Sequence, residues 1–257
     1  MSRIFITGSA GGLGLMAAKL LIDEGHQVVL HGRNTLRAKE AMALAPGAET
    51  ALGADLSSIA ETKQLAAAIN ALGKFDAIIH NAAVGYKEPA RGNTVDGLPP
   101  VFAANSLAPY ILTCLIERPR RLIYLSSALH HQGNTEMNDL LWNERSWNGY
   151  SAYSDTKLHD LLLALAVARR WKGTYSSAVE PGWVATKMGG AGATDSLKDG
   201  PVTQAWLAVS PYTESMTTGR YFYHQQPKPF LEAAADPALQ DEFLAACAQI
   251  SGVQFPA

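Results

Sequence analysis

The sequence predicts an α/β fold: a doubly wound, Rossmann-like parallel sheet of about seven strands with helices on both faces, in one domain over residues 1–257. Three observations predict it. Short apolar runs alternate with helix-spaced segments along the chain. A glycine-rich turn, "TGSAGGLG", joins the first such run to the first helical segment. The composition, 47% apolar and 17% charged, is that of a globular chain, and no linker, repeat or low-complexity stretch divides it.

Each element has its own warrant. "RIFIT" is an apolar run ending at glycine, as strands buried on both faces read. Residues 12–24 place Leu15, Leu20, Leu21 and Ile22 at helical spacing, and Gly25 stops them. "QVVLHG" is the second strand, and "TLRAKEAMALA" is a helix closed by Pro46-Gly47. "AETALGAD" makes a weak third strand. Ser58 caps the next helix, with Glu61 three residues on as the partner of a capping box. "FDAIIHNAA" is the fourth strand. "PPVFAANSLAPYILTCLI" is a long helix starting after Pro100, with a bend at Pro109. "RRLIYLSS" is the fifth strand. A loop-rich stretch, 130–149, leads to the helix of "SAYSDTKLHD". "TYSSAVEPGW" and "GRYFYH" are the sixth and seventh strands, and 236–250 is helical. This order implies right-handed βαβ crossovers.

Charge and cysteine content exclude several classes. A net charge of −2 gives no reason to expect a nucleic-acid or anionic-membrane partner. Cys114 and Cys247 lack metal-ligand spacing, so a reducing, cytoplasmic setting is expected. No stretch reaches the roughly 18 apolar residues of a membrane span. His130-His131 has no third ligand nearby, so a solvated loop is expected and no metal.

Two features carry chemistry. Gly8, Gly11, Gly12 and Gly14 lie between strand and helix, where bare backbone N–H groups can meet a pyrophosphate. Tyr153 and Lys157 stand four apart on one helix face, so the ammonium lowers the phenol's pKa.

"TGSAGGLG" and "YSDTK" together resemble the short-chain dehydrogenase/reductase family in its single-domain form. "ADLSS", "HNAAVG", "ANSLAPYILT", "LIYLSSALH" and "EPGWVAT" fall in the family's order, over Arg3 to about Gly252. The segment from Ser126 to "LALAVAR", and the ending "TGRYFYHQQPKPF", resemble the retinol-dehydrogenase-like and WW-domain-oxidoreductase-like branch. Ala83 stands where Gly is usual, Thr156 where Ser is, and His159-Asp160 where the branch has Ala-Asn. No membrane anchor of that branch is read here, so retinoids are not inferred.

The resemblance implies hydride transfer between a nicotinamide and a carbonyl or alcohol carbon. It implies Asn105, Ser127, Tyr153 and Lys157 as catalytic residues: Tyr153 as acid or base, Lys157 on the phenol and the ribose, Ser127 on the substrate oxygen, and Asn105 kinking its helix and ordering a relay water. Ser126 rivals Ser127, since adjacent strand residues face opposite ways. Implied cofactor contacts are Gly8, Ser9, Gly12, Leu13 and Gly14 in the first turn, and Arg33 and Asn34 after the second strand. Asp55 and Leu56 follow the third, and Asn81, Ala82 and Ala83 the fourth. Tyr153 and Lys157 add theirs, and Pro181, Gly182, Val184 and Thr186 complete the set.

Cofactor choice turns on "LHGRN". A carboxylate there favours NAD; Gly32 stands at that position, and the Arg33 fork, assisted by Arg37, suits a 2′-phosphate. NADP is expected over NAD, with adenine stacking as the other role for Arg33. Substrate walls are expected within 84–100, 128–150 and 183–200, where Tyr86, Leu129, Trp142, Trp147, Tyr150, Trp183 and Met188 suit an apolar or aromatic molecule. "KMGGAGATDSLKDG" reads equally as a mobile lid and as a flexible connector. Rival readings are a non-catalytic NADP-binding sensor and a nucleotide-sugar epimerase or dehydratase. The resemblance allows a homodimer or homotetramer through the helices of Asn105 and Tyr153.

Overall fold

In the computed structural model, which describes residues 1–256, eight strands form one sheet. They are β1 (Arg3–Ile6), β2 (Gln27–Gly32), β3 (Thr50–Gly53), β4 (Ala77–His80), β5 (Arg121–Leu125), β6 (Tyr175–Glu180), β7 (Arg220–Tyr223) and β8 (Gln226–Lys228). The helices are α1 (Gly12–Asp23), α2 (Thr35–Leu44), α3 (Ile59–Ala71), α4 (Pro100–Phe102), α5 (Ala108–Leu115), α6 (Gly149–Arg170), α7 (Val202–Val209) and α8 (Pro237–Ser251). The spatial order is β3-β2-β1-β4-β5-β6-β7-β8, parallel except for the β7–β8 pair. The winding reverses between β1 and β4, which opens a crevice at the strands' carboxyl ends.

Alternation along the strands builds two cores. Ile4 and Ile6 pack with Leu21 of α1 and Leu207 of α7 on one face. Phe5 packs with Ile69 of α3, Ile111 of α5 and Leu162 of α6 on the other. On that second face α8 lies over α6. His159 stacks on Phe243 at 4.8 Å, Arg169 and Arg170 pair with Asp241, and Tyr110 of α5 donates to the Val253 carbonyl at 2.8 Å. Every α6 residue from Ala152 to Val167 is buried. Among the described residues no helix is long and apolar enough to cross a membrane.

The structure departs from the sequence expectation in five places. The sheet has an eighth strand. β8 is three exposed residues around Pro227, and His224 and Gln225 make its turn at φ 48° and 61°. With no Asn-Gly or Gly at that turn and no apolar alternation, the hairpin left no local signal. The helix α7, Val202–Val209, lies where the sequence pattern announces no element. The capping box is half formed. Ser58 accepts from the Glu61 N–H, but the Glu61 carboxylate turns back to the Asp55 N–H at 2.8 Å. His130 is not a solvated loop residue: it is fully buried, with Nε2 accepting from the Leu231 N–H. Finally, the distortion in the Pro100–Leu115 helix lies one turn before Pro109. Residues Ala103–Leu107 are π-helical, with the Ala108 N–H reaching the Ala103 carbonyl. Pro109 has no N–H with which to return the Asn105 carbonyl to the α pattern.

Candidate active site

A cavity of about 780 Å³ occupies the crevice. Its floor is the glycine turn: Gly8, Gly11, Gly12 and Leu13 line it. A Cβ on Gly8, at φ 65°, would lie 2.7 Å from the Ala82 Cα. Gly14 lies behind, where a Cβ would meet the Asn81 amide at 2.4 Å. Gly12, at φ 55°, would point a Cβ at nothing within 4 Å, so its backbone is open to a ligand. Ser9 does not line the cavity. Its hydroxyl donates to the Ile6 carbonyl and accepts from the His31 N–H, which fixes the turn on β2.

His31 itself was missed in the sequence. Its Nδ1 accepts from the Gly8 N–H at 3.0 Å, so Nε2 carries the proton and donates to the Ala54 carbonyl at 3.0 Å. Burial pushes its pKa down to about 4, so the ring is neutral. A polar residue inside the apolar run "QVVLHG" was the available signal.

At the end of β2, a Cβ on Gly32 would sit 2.5 Å from the Ala38 nitrogen, so no side-chain carboxylate fits there. Arg33 is exposed and lines the cavity. Asn34 does not; it caps α2 by accepting from the Arg37 N–H at 2.9 Å. Arg37 is already engaged, with the Ala10 carbonyl at 3.0 Å and with Glu40. Asp55 and Leu56 line the far wall, and the Asp55 carboxylate accepts from the Ser57 N–H and hydroxyl. Asn81, Ala82 and Ala83 line the opposite side. The Asn81 amide donates to the Thr7 and Gly8 carbonyls and so ties β4 to β1 across the winding reversal. Pro181 and Thr186 face the cavity. Gly182 and Val184 lie behind them against Asp195.

Tyr153 and Lys157 stand on the cavity wall, presented by α6, whose first turn Asn148 caps. Nζ of Lys157 is 5.3 Å from the Tyr153 ring centre. It donates to the Leu125 carbonyl and to Asp160 Oδ2, both at 2.7 Å. Burial pushes the Tyr153 phenol up, Lys157 pulls it down, and Asp160 and Tyr86 push it up again. The net direction is up, so the lysine's pull is present but outweighed. The phenol's neighbours are Met188, with Sδ 3.8 Å from Oη, and the Tyr86 ring at 5.7 Å.

The two serines face apart. Ser126 lines the cavity and donates its hydroxyl to the Lys157 carbonyl at 2.7 Å. Ser127 is not on the cavity lining; its Oγ accepts from the Leu129 N–H at 3.2 Å. Asn105 is buried off the cavity. Its carboxamide accepts from the Val84 N–H at 2.7 Å and donates to the Val84 carbonyl and to Thr156. Thr156 in turn donates to the Tyr153 carbonyl at 2.8 Å, so its hydroxyl joins Asn105 to the helix turn that carries Tyr153.

No residue of 128–150 lines the cavity. Trp142 and Trp147 pack edge to face at 5.5 Å, and Trp147 donates to the Glu88 carbonyl, bracing the 84–88 wall from behind. Arg145 covers the Trp142 ring and pairs with Asp139 and Asp155, fastening this segment to α6. In the glycine-rich segment, Lys187 and Met188 reach the cavity, while Trp183 stands half exposed.

A family model described as Enoyl-(Acyl carrier protein) reductase matches residues 8–220. Short-chain dehydrogenase chyC of Penicillium rubens is 47% identical over 262 residues, covering 100% of both chains. Retinol dehydrogenase 13 of Homo sapiens is 29% identical, over 98% of this chain and 85% of that protein. A solved structure from Mycobacterium Paratuberculosis has a TM-score of 0.86 at 24% identity, over 100% of this chain and 96% of that one. A blue fluorescent protein from a metagenomic library, solved with NADPH, has a TM-score of 0.69 at 22% identity, over 86% and 95%. These last two share the fold. The glycine turn under an open cavity and the tyrosine–lysine pair on its wall thus have their explanation: the chain belongs to the short-chain dehydrogenase/reductase family of oxidoreductases, which bind a nicotinamide cofactor, and sits with its retinol-dehydrogenase-like branch.

Proposed function

We propose that this protein transfers hydride between NADP(H) and a carbonyl or alcohol carbon of a largely apolar small molecule. The observation that carries it is that the open glycine turn, Arg33, Tyr153 and Lys157 all face one cavity. The bound nicotinamide supplies or takes the hydride. The chain does the rest. Gly8, Gly11 and Gly12 leave backbone exposed for a pyrophosphate. Arg33 offers a guanidinium where Gly32 excludes a carboxylate, which supports a 2′-phosphate. Lys157 keeps a third ammonium proton for a ribose hydroxyl.

Tyr153 Oη gives its proton to the substrate oxygen in reduction and takes it back in oxidation. Met188 must first yield its place beside the phenol. An oxygen that gains negative charge needs a donor. Ser126 lines the cavity but has given its only proton to the Lys157 carbonyl, whereas Ser127, which only accepts, keeps its proton but stands off the lining, so either serine must turn before it can donate to a substrate oxygen. The Asn105 carboxamide is committed to Val84 and Thr156, so any relay water falls to its backbone carbonyl. Val84, Tyr86 and Met188 make the wall beside Tyr153 apolar.

The test is NADPH oxidation with a panel of apolar ketones, aldehydes and quinones. Wild type is expected to turn over. Tyr153→Phe, which keeps the ring and loses the proton, is expected to be slower by about 10²–10⁴-fold with cofactor binding unchanged. Near-normal turnover by the variant sinks the mechanism; wild-type inactivity across the panel favours the sensor reading.

A further inference from the structure

The α6 helix carries an ionisable group that the Tyr153–Lys157 chemistry does not use. Asp160 lies three residues beyond Lys157, its Oδ2 is 2.7 Å from Nζ, and both side chains are 3% exposed. Nζ is also tied to the Leu125 carbonyl at 2.7 Å. Two of its three protons are therefore committed to acceptors other than the phenol, and the ammonium sits beside a carboxylate. Burial pushes the Asp160 carboxyl up against the pull of Lys157, and the 2.7 Å contact with the ammonium is that of an ion pair. Burial lowers the ammonium's pKa, and the charges of Asp160 and Tyr153 with the Asp160 hydrogen bond outweigh it. Such a pair, drawn out of water on both sides, is costly to keep and adds little stability over a neutral side chain. What it does change is the field at Tyr153.

The groups facing this cluster can be named. Tyr124 from β5 faces Asp160, and Tyr86 from the segment after β4 faces Tyr153. Lys87 and Lys187 stand exposed at the cavity rim. His80 of β4 stacks on Tyr124 at 4.8 Å and burial keeps its ring neutral; Met188, Asn105 and Thr156, also close by, do not titrate.

We propose that Asp160 is a positioning residue that holds the Lys157 ammonium beside the Leu125 carbonyl of β5 and offsets its charge at Tyr153, so that the site favours giving a proton to a carbonyl oxygen over taking one from an alcohol. The inference rests on Tyr153 being the acid–base group. In the favoured direction a hydride from the reduced nicotinamide cofactor forms the C–H bond. The C=O π pair moves onto oxygen, oxygen takes the Tyr153 proton, and solvent reprotonates the phenolate. The substrate is reduced by two electrons and the cofactor oxidised by two. Lys157 alone would lower the barrier to phenolate; the carboxylate one turn away opposes it.

The test needs no substrate. Full-length enzyme labelled with ¹³C at tyrosine Cζ is titrated by NMR with NADP⁺ bound, and Tyr153 is assigned by the resonance lost in Tyr153→Phe. In wild type the Tyr153 midpoint is expected above pH 7. In Asp160→Asn, whose amide oxygen still accepts from Nζ, it is expected to fall by about one unit or more, a tenfold rise in acid dissociation constant. The alkaline limb of carbonyl reduction moves down with it. A side chain that served only packing would leave the midpoint where it is. An unchanged or higher midpoint in the variant overturns the proposal. Should that variant not fold, Asp160→Ser carries the same expectation, and a wild-type midpoint at or below neutrality overturns the proposal by itself. Turnover that survives Tyr153→Phe defeats the acid–base reading instead, so the two failures are told apart.

Discussion

Arg33 and Arg37 are both near the turn, but only one is free to meet a phosphate. Arg37 is held by the Ala10 carbonyl and Glu40, while Arg33 is exposed on the cavity edge. Arg33→Ala is therefore expected to weaken NADPH and leave NADH nearly unchanged. A lost charge-assisted contact amounts to about 1.5–3 kcal/mol, or roughly ten- to a hundredfold. Dissociation constants of both cofactors at fixed salt check it, since an exposed phosphate pair is screened. Arg33→Ala/Arg37→Ala should add little to the single change. If wild type binds NADH as tightly as NADPH, or the double variant keeps its preference, the NADP assignment fails while the tyrosine–lysine chemistry stands.

The element that couples fold to site is the broken helix from Pro100 to Leu115. Its π-helical turn brings the Asn105 carboxamide onto both polar groups of Val84 and onto Thr156, joining the cavity wall to α6. Asn105→Ala leaves the partly buried Val84 N–H and carbonyl without their partner. Stability is expected to drop by about 1–3 kcal/mol, read as a lower denaturant midpoint, and the loosened 84–88 wall to raise KM. Asn105→Asp accepts from the Val84 N–H but cannot donate to its carbonyl, so it is expected not to restore wild type. A variant with unchanged midpoint and KM would show that the joint is dispensable.

For the whole molecule, the decisive contact is α8 on α6. The resemblance allows association through the helices of Asn105 and Tyr153, yet the residues of α6 from Ala152 to Val167 are already buried within the chain. Phe243, Leu244 and Cys247 of α8 supply the apolar cover that a second copy would otherwise give. The protein is expected to be a monomer at micromolar concentration, measured by light scattering after size exclusion. A homodimer or homotetramer mass would show that α8 does not replace a partner.

The sequence by itself determined what short-range pattern can carry. Apolar runs ending at glycine marked β1 and β2, and Gly8, Gly12 and Gly14 marked the turn between β1 and α1, because φ and close backbone approach are local demands. The spacing of Tyr153 and Lys157 was legible because i and i+4 share a face in any helix. Asp160 was visible only as a departure from a resemblance. That its carboxylate and the Leu125 carbonyl of β5 share the Lys157 ammonium, and that burial keeps the phenol's pKa high, depend on which elements enclose α6, and desolvation is a property of that enclosure rather than of spacing. The same holds for the two serines, for the segment 128–150 bracing a wall it was expected to form, and for α8 closing the face of α6. Each depends on contacts between residues far apart in the chain, and only the tertiary structure decides those.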